Sequence, residues 1–199
     1  MSNSIKPRIV RGPAPKKRLT RSNYRKIGLD SIRRDFQDRC SYSCQHLLRA
    51  GGLKAMEIDH FNPRKKKNFI QEYENLFFST RHCNGSKKAT WPSESDFKLG
   101  LRFLNPCCEE DYGPHMAEDS GTHLLVGLTP AGKYHIRMCD LNADHFITER
   151  RDRAEIWALL KSGGRIKREH PLSDAADVVA ALRKQAEQMI PEFPFLVKG

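Results

Sequence analysis

The sequence predicts an α+β fold, and three observations point to it. Residues 56–60 (Met-Glu-Ile-Asp-His) and 75–78 (Asn-Leu-Phe-Phe) have the length and apolar content of short strands. Apolar residues recur at helical spacing over 29–39 and 142–161. A chain of 199 residues is long enough for one domain of ordinary size with an extension. The expected organisation is a basic, flexible tail over 1–22, a core over 23–95 and an extension over 96–199 packed on that core.

The tail reads as flexible because Pro, Gly and basic residues dominate it and little apolar surface is available to offset its ordering entropy. Lys16, Lys17, Arg18 and Arg21 would lie along a nucleic-acid backbone. Leu29, Ile32 and Phe36 form the stripe of a short helix over 29–39 with Asp30 as its N-cap. The Gly-Gly break in 46–55 makes a turn into the first core strand.

That strand closes on Asp59-His60, the second opens at Asn75, and Asn84 follows in Cys-Asn-Gly-Ser-Lys. Hydrolysis of a phosphodiester needs an activated water and charge relief on the phosphate. A neutral imidazole such as that of His60 removes a proton near pH 7, because the free histidine pKa is about 6.5. Glu57, two residues before Asp59, shares its strand face. Residues Arg64, Lys65, Lys66 and Lys67 fall between the strands, where they would clamp phosphates beside a cut.

The residue types, their order and their spacing together resemble the HNH, or ββα-metal, endonuclease family: His60 to Asn75 is fifteen positions, Asn75 to Asn84 nine, and Lys87 lies three further on. The resemblance implies a ββα-metal HNH core in which a hairpin and a following helix hold one divalent cation, Mg²⁺ or Mn²⁺. On that pattern Asp59 and Asn84 are metal ligands and His60 is the general base. Asn75 then supports the loop between the strands, Glu57 supports the ligands, and Lys87 reaches a phosphate as a point charge.

Cys40 and Cys44 precede the hairpin, where many HNH proteins carry a zinc knuckle, and Cys83 lies at its second half. The pattern departs from the family in the spacing of the first pair and in Thr80, which stands where a cysteine is expected. Structural zinc takes four N or S ligands, so the fourth would come from His82, Cys107, Cys108 or His115; free buried thiols are the alternative.

The extension continues with a helix over 95–104, a hairpin of strands 122–128 and 134–139 turning at Thr-Pro-Ala-Gly, a helix over 142–161 capped by Asn142 with Ile147, Ile156, Trp157 and Leu160 as its stripe, and a last helix over 174–190. Phe193, Phe195 and Leu196 then dock back on the body, and His123, His135 and His145 read as structural or surface residues. The Asn-Pro-x-x-Glu, Asp-Tyr-Gly-x-His and Thr-Pro-x-Gly elements resemble the extension of the nuclease subunit of Septu-type anti-phage systems. That likeness implies antiviral defence and a partner ATPase.

A net charge of +11 favours a polyanionic partner, with duplex DNA first. No apolar run has membrane-spanning length and no signal-peptide core is present, so a cytoplasmic protein with reduced cysteines is expected. The sequence therefore points to a metal-dependent DNA endonuclease. The alternatives are a non-catalytic nucleic-acid-binding module and a nuclease silent until a partner ATPase assembles.

Overall fold

The computed structural model describes residues 9–65, 71–108, 114–161 and 196–198. The chain is mixed α and β, with two small sheets and several short helices. No helix among the described residues is long and apolar enough to cross a membrane.

From residue 9 onward, the segment expected to be a flexible tail packs on the body. The Ile9 amide donates to the Pro106 carbonyl at 3.0 Å. Arg11 donates to Asp35 at 3.0 Å and to the Tyr73 carbonyl at 2.8 Å, and its guanidinium lies 4.3 Å from the Tyr73 ring centre. The Arg11 contact has an electrostatic cause: the Asp35 side chain is only 1% exposed, and a carboxylate so far from water draws in a cation. Burial alone would raise the Asp35 pKa, but hydrogen bonds from Tyr73, Arg34 and Arg11 outweigh it and hold the carboxyl below its ordinary value. Lys16, Lys17, Arg18 and Arg21 remain exposed.

Two short helices follow, α1 (Tyr24–Ile27) and α2 (Leu29–Asp35). The second ends before the expected residue 39 because Gln37 and Asp38 take positive φ angles of 52° and 57°. Gly28, not Asp30, precedes α2, and Asp30 sits in its first turn. In α3 (Leu47–Ala50) the His46 side chain accepts from the Leu48 amide, and Gly51 stops the helix at φ 104°, a conformation that suits glycine.

The central hairpin pairs β1 (Met56–His60) with β2 (Leu76–Thr80), antiparallel, with Asp59 opposite Phe77 and His60 opposite Leu76. Every residue of β2 is buried, which is why its sequence reads as a continuous apolar run instead of alternating. Phe77 anchors it, with the rings of Phe36 and Phe61 centred 5.3 and 4.7 Å away. Helix α4 (Arg81–Lys87) starts directly after β2, its first turn capped by the Thr80 hydroxyl, which accepts from the Cys83 amide at 3.2 Å.

Helix α5 (Glu94–Lys98) carries a Ser93/Asp96 capping box and stops short of the expected residue 104, where Gly100 turns the chain at φ 74°. A second sheet has the order β4-β3-β5, with β3 (Met116–Asp119) antiparallel to β4 (Leu125–Gly127) and parallel to β5 (Leu196–Lys198).

The expected hairpin over 122–139 is corrected: its second arm is a helix, α6 (Pro130–Met138). The Thr-Pro pair that reads as a turn is instead an N-cap followed by proline at N1, and the Thr129 hydroxyl accepts from the Gly132 amide at 3.1 Å. Buried Ala131, Gly132, Tyr134, His135 and Cys139 follow a helical period. A Cβ at Gly132 would sit 1.9 Å from the His115 carbonyl oxygen, so α6 approaches β3 through that glycine.

Helix α7 (Asp144–Lys161) begins after Asn142, whose side chain does not cap it but brackets both backbone groups of Leu125, at 2.8 and 2.9 Å. It is seated by Phe146 and by Arg150, which donates to the carbonyls of His123 and Leu141. Ile147 and Ile156 of the expected stripe are half-buried. The side chains of Trp157 and Leu160, the expected helix over 174–190, and Phe193 and Phe195 lie outside the described residues, as does the Leu196 side chain.

Replacing Arg11 by Ala is expected to destabilise the fold by about 2 kcal/mol. That is less than the ~3–5 kcal/mol of a fully broken buried pair, because Asp35 keeps Tyr73 and Arg34. The Asp35 pKa is lower folded than unfolded, so its contribution is full above the unfolded value of about 3.9 and is lost as pH falls through the folded one. Urea denaturation should show the gap between wild type and R11A narrowing below about pH 4.

Candidate active site

Side chains of β1 alternate. Glu57 and Asp59 face α4, whereas Ile58 and His60 face the other way. Because α4 returns along β1, Asn84 stands beside Glu57 and Lys87 beside Asp59. The Asn84 amide nitrogen donates to Glu57 Oε2, which leaves its carbonyl oxygen without a partner among the described residues. Glu57 Oε1 also lies 3.6 Å from Arg81 Nε, and the Glu57 side chain is 40% exposed.

Asp59 is buried. Its Oδ2 accepts from the Tyr42 hydroxyl and forms an ion pair with Lys87 Nζ at 2.9 Å, and its Oδ1 has no hydrogen bond among the described residues. Lys87 is turned fully inward, with 0% of its side chain exposed. Its ammonium donates also to the His60 carbonyl at 3.1 Å and sits 5.4 Å from the Phe103 ring centre. The charge of Lys87, expected to reach a phosphate, is thus paired with Asp59, and none of its side-chain surface is exposed. Burial, followed by the charge of Asp59, pushes the Tyr42 pKa well up, so its hydroxyl stays a donor.

His60 packs against Tyr24, ring centres 5.1 Å apart, and its Nε2 is buried without a hydrogen-bond partner. Burial lowers its pKa, with Lys87 and Arg25 acting in the same sense and Asp59 against them. The ring is therefore neutral at pH 7. Asn75, 1% exposed, ties the loop after β1 by accepting from the Asn62 amide at 2.9 Å and donating to the Asn62 carbonyl at 3.2 Å. In the basic loop Arg64 is exposed and Lys65 pairs with Glu72 at 3.1 Å; Lys66 and Lys67 lie outside the described residues.

Of the expected zinc ligands, Cys40 and Cys83 come together. Burial alone would raise the Cys40 pKa, but hydrogen bonds from Cys83, Ser43 and Thr80 pull it down to about 5, while burial and then Cys40 push Cys83 well up. Thr80 Oγ1, in the place expected for a further thiol, lies 3.7 Å from Cys40 Sγ. Cys139, a fully buried thiol at the C-terminal end of α6, is close enough to act electrostatically on both.

The other expected ligands have these surroundings. Cys44 is half-buried at φ 60°, and the amides of Cys107 and Cys108 are anchored on Asn105. His115 bonds Thr129 at 2.7 Å, and His82 bonds Asp140 at 2.9 Å. Among the described residues no three His, Cys, Asp or Glu side chains are grouped to hold a metal ion. Of the four donors that a tetrahedral zinc site wants, Cys40 and Cys83 are the expected ones that the structure brings together.

The structure thus gathers Glu57, Asp59, Asn84 and Lys87 on one side of β1 and His60 on the other, around a strand whose outer edge carries no partner among the described residues. A cleft of about 690 Å³ opens near the start of α4, lined by Arg49, Arg81, His82, His145, Glu149 and Asp152, with two arginines against two carboxylates. The sequence reading missed Tyr42, Tyr24 and Arg25, since nothing in their spacing separates them from ordinary surface or core residues. No family model, curated protein or solved structure matches the chain.

Removing one member of a buried pair strands the other's charge, at about 3–5 kcal/mol. K87M and D59N should each destabilise by about that amount, and the double variant by clearly less than their sum. Thermal or urea unfolding of the four proteins checks this coupling.

Proposed function

We propose that the protein is a metal-dependent endonuclease of the HNH kind that hydrolyses DNA phosphodiester bonds. The observation that carries the proposal is the placement of Asn84 beside the acidic face of β1, the strand that ends in His60. The carboxylates of Glu57 and Asp59 and the amide oxygen of Asn84 are hard oxygen donors, a set that fits Mg²⁺ or Mn²⁺. When bound, such a cation would relieve charge on the phosphate as a Lewis acid.

The remaining steps belong to the chain's own groups. His60, half-buried and with its pKa lowered by that burial, takes a proton from water. Its shielded Nε2 leaves Nδ1 as the atom that does so. The hydroxide attacks phosphorus, the bond from phosphorus to the leaving sugar oxygen breaks, and that oxygen takes a proton from solvent. Lys87 and Tyr42 hold the Asp59 carboxylate in one orientation, and Asn75 keeps the loop after His60 from moving. Since β1 is an edge strand, a phosphate lying along that edge meets residues from both of its faces. The likeness of the extension to Septu-type subunits adds a partner ATPase and a role in phage defence to this proposal.

Supercoiled plasmid incubated with the protein should be nicked or linearised with Mg²⁺ or Mn²⁺ and left intact with EDTA. H60A should cut at least about 100-fold more slowly, the usual loss of a general base. The acid limb of the rate profile should fall below the ordinary histidine value of about 6.5, in line with the lowered His60 pKa. Cleavage by H60A at the wild-type rate would remove His60 as the base, and cleavage undiminished in EDTA would overturn the metal requirement.

A further inference from the structure

Lys87, the cation expected to meet the phosphate, is buried against Asp59, so a substrate at His60 would need another. We infer that Arg25 is the phosphate-binding residue beside His60, holding the DNA backbone at the open edge of β1. The inference rests on the nuclease reading and adds a residue to it.

Three features of the structure support this. Arg25 is exposed and makes no ion pair among the described residues, so its charge is available. Its Nε donates to the Tyr24 hydroxyl at 3.1 Å and its guanidinium lies 5.6 Å from the Tyr24 ring centre, leaving both terminal nitrogens without a partner among the described residues. Those two nitrogens are the fork that binds a phosphate bidentately, and fixing the plane beforehand reduces the entropy lost on binding.

Tyr24 ties this cation to the site. It is 7% exposed, its amide donates to the Thr20 carbonyl, its carbonyl accepts from the Gly28 amide, and its ring contacts His60. The guanidinium is therefore held on the ring that packs against His60, and it is near enough for its charge to reach that histidine. Exposed Lys16, Lys17, Arg18 and Arg21 precede it along the chain and Lys26 follows. The N-terminal segment thus carries a basic track that leads to His60, and Arg25 is its member nearest the reacting phosphate.

The test compares wild type, R25Q, R25K and Y24F. Binding of a fluorescent duplex oligonucleotide is measured in EDTA over a KCl series, and cleavage of the same duplex is measured with Mg²⁺. R25Q should lower the slope of log affinity against log salt by about 0.9, which over the decade from 1 M to 0.1 M salt is a loss of about eightfold at 0.1 M. R25K should restore the slope but not the full cleavage rate, because an ammonium cannot fork, and Y24F should lose part of the cleavage rate with its fold intact by circular dichroism. A wild-type slope in R25Q, or cleavage by R25Q at the wild-type rate, would overturn the role of Arg25. Wild-type protein that binds duplex but never cuts it would overturn the nuclease reading instead, and the binding arm in EDTA separates the two failures.

Discussion

Burying an ammonium group completely costs several kcal/mol unless acceptors meet it, so the seating of α4 on the hairpin is dictated by where Lys87 finds them. It finds Asp59, the His60 carbonyl and the face of Phe103. Such a pair adds little net stability over an apolar pair of the same shape, but it penalises every other register of the helix heavily. Asn84, one turn earlier on the same helix face, is thereby placed at Glu57. The contact to the His60 carbonyl fixes the strand end at which the imidazole leaves the sheet. One buried charge thus positions groups on both faces of β1.

The same physics recurs at the other end of the core. Asp35 is as deeply buried as Lys87, and it is satisfied by Arg11, Arg34 and Tyr73. Arg11 arrives from a segment that composition alone assigns to solvent. By anchoring that segment it makes the basic stretch that follows part of the folded body. From there the chain passes directly through Tyr24, whose ring supports His60. Two buried charges, Lys87 at Asp59 and Asp35 at Arg11, therefore organise the groups that would meet a substrate.

What the sequence disclosed follows from this division. The strand at 56–60 and the body of the second one, read over 75–78 and found at 76–80 with Asn75 in the turn before it, were legible because period, apolar content and turn chemistry are local properties. The inward turn of Lys87 was not, because a lysine on a short helix has no local signature of burial; only the position of Asp59 and Tyr42 across the fold decides it. The stretch 130–139 was misread for a related reason. Thr-Pro serves equally as a hairpin turn and as a helix cap, and the choice fell to the helical spacing of buried Ala131, His135 and Cys139. The cysteine pattern was legible only as a pair, since Thr80 caps α4 where a further thiol was expected.

The central claim is that the oxygen atoms on the α4 side of β1 form a divalent-cation site for phosphodiester hydrolysis. Anomalous diffraction from crystals soaked in Mn²⁺ tests it most directly. The account predicts one strong peak at about 2.1 Å from the Asn84 amide oxygen and from a carboxylate of Glu57 or Asp59, absent from N84A crystals with the hairpin unchanged. Manganese bound only elsewhere on the chain, or none at this position in wild-type crystals, would contradict it.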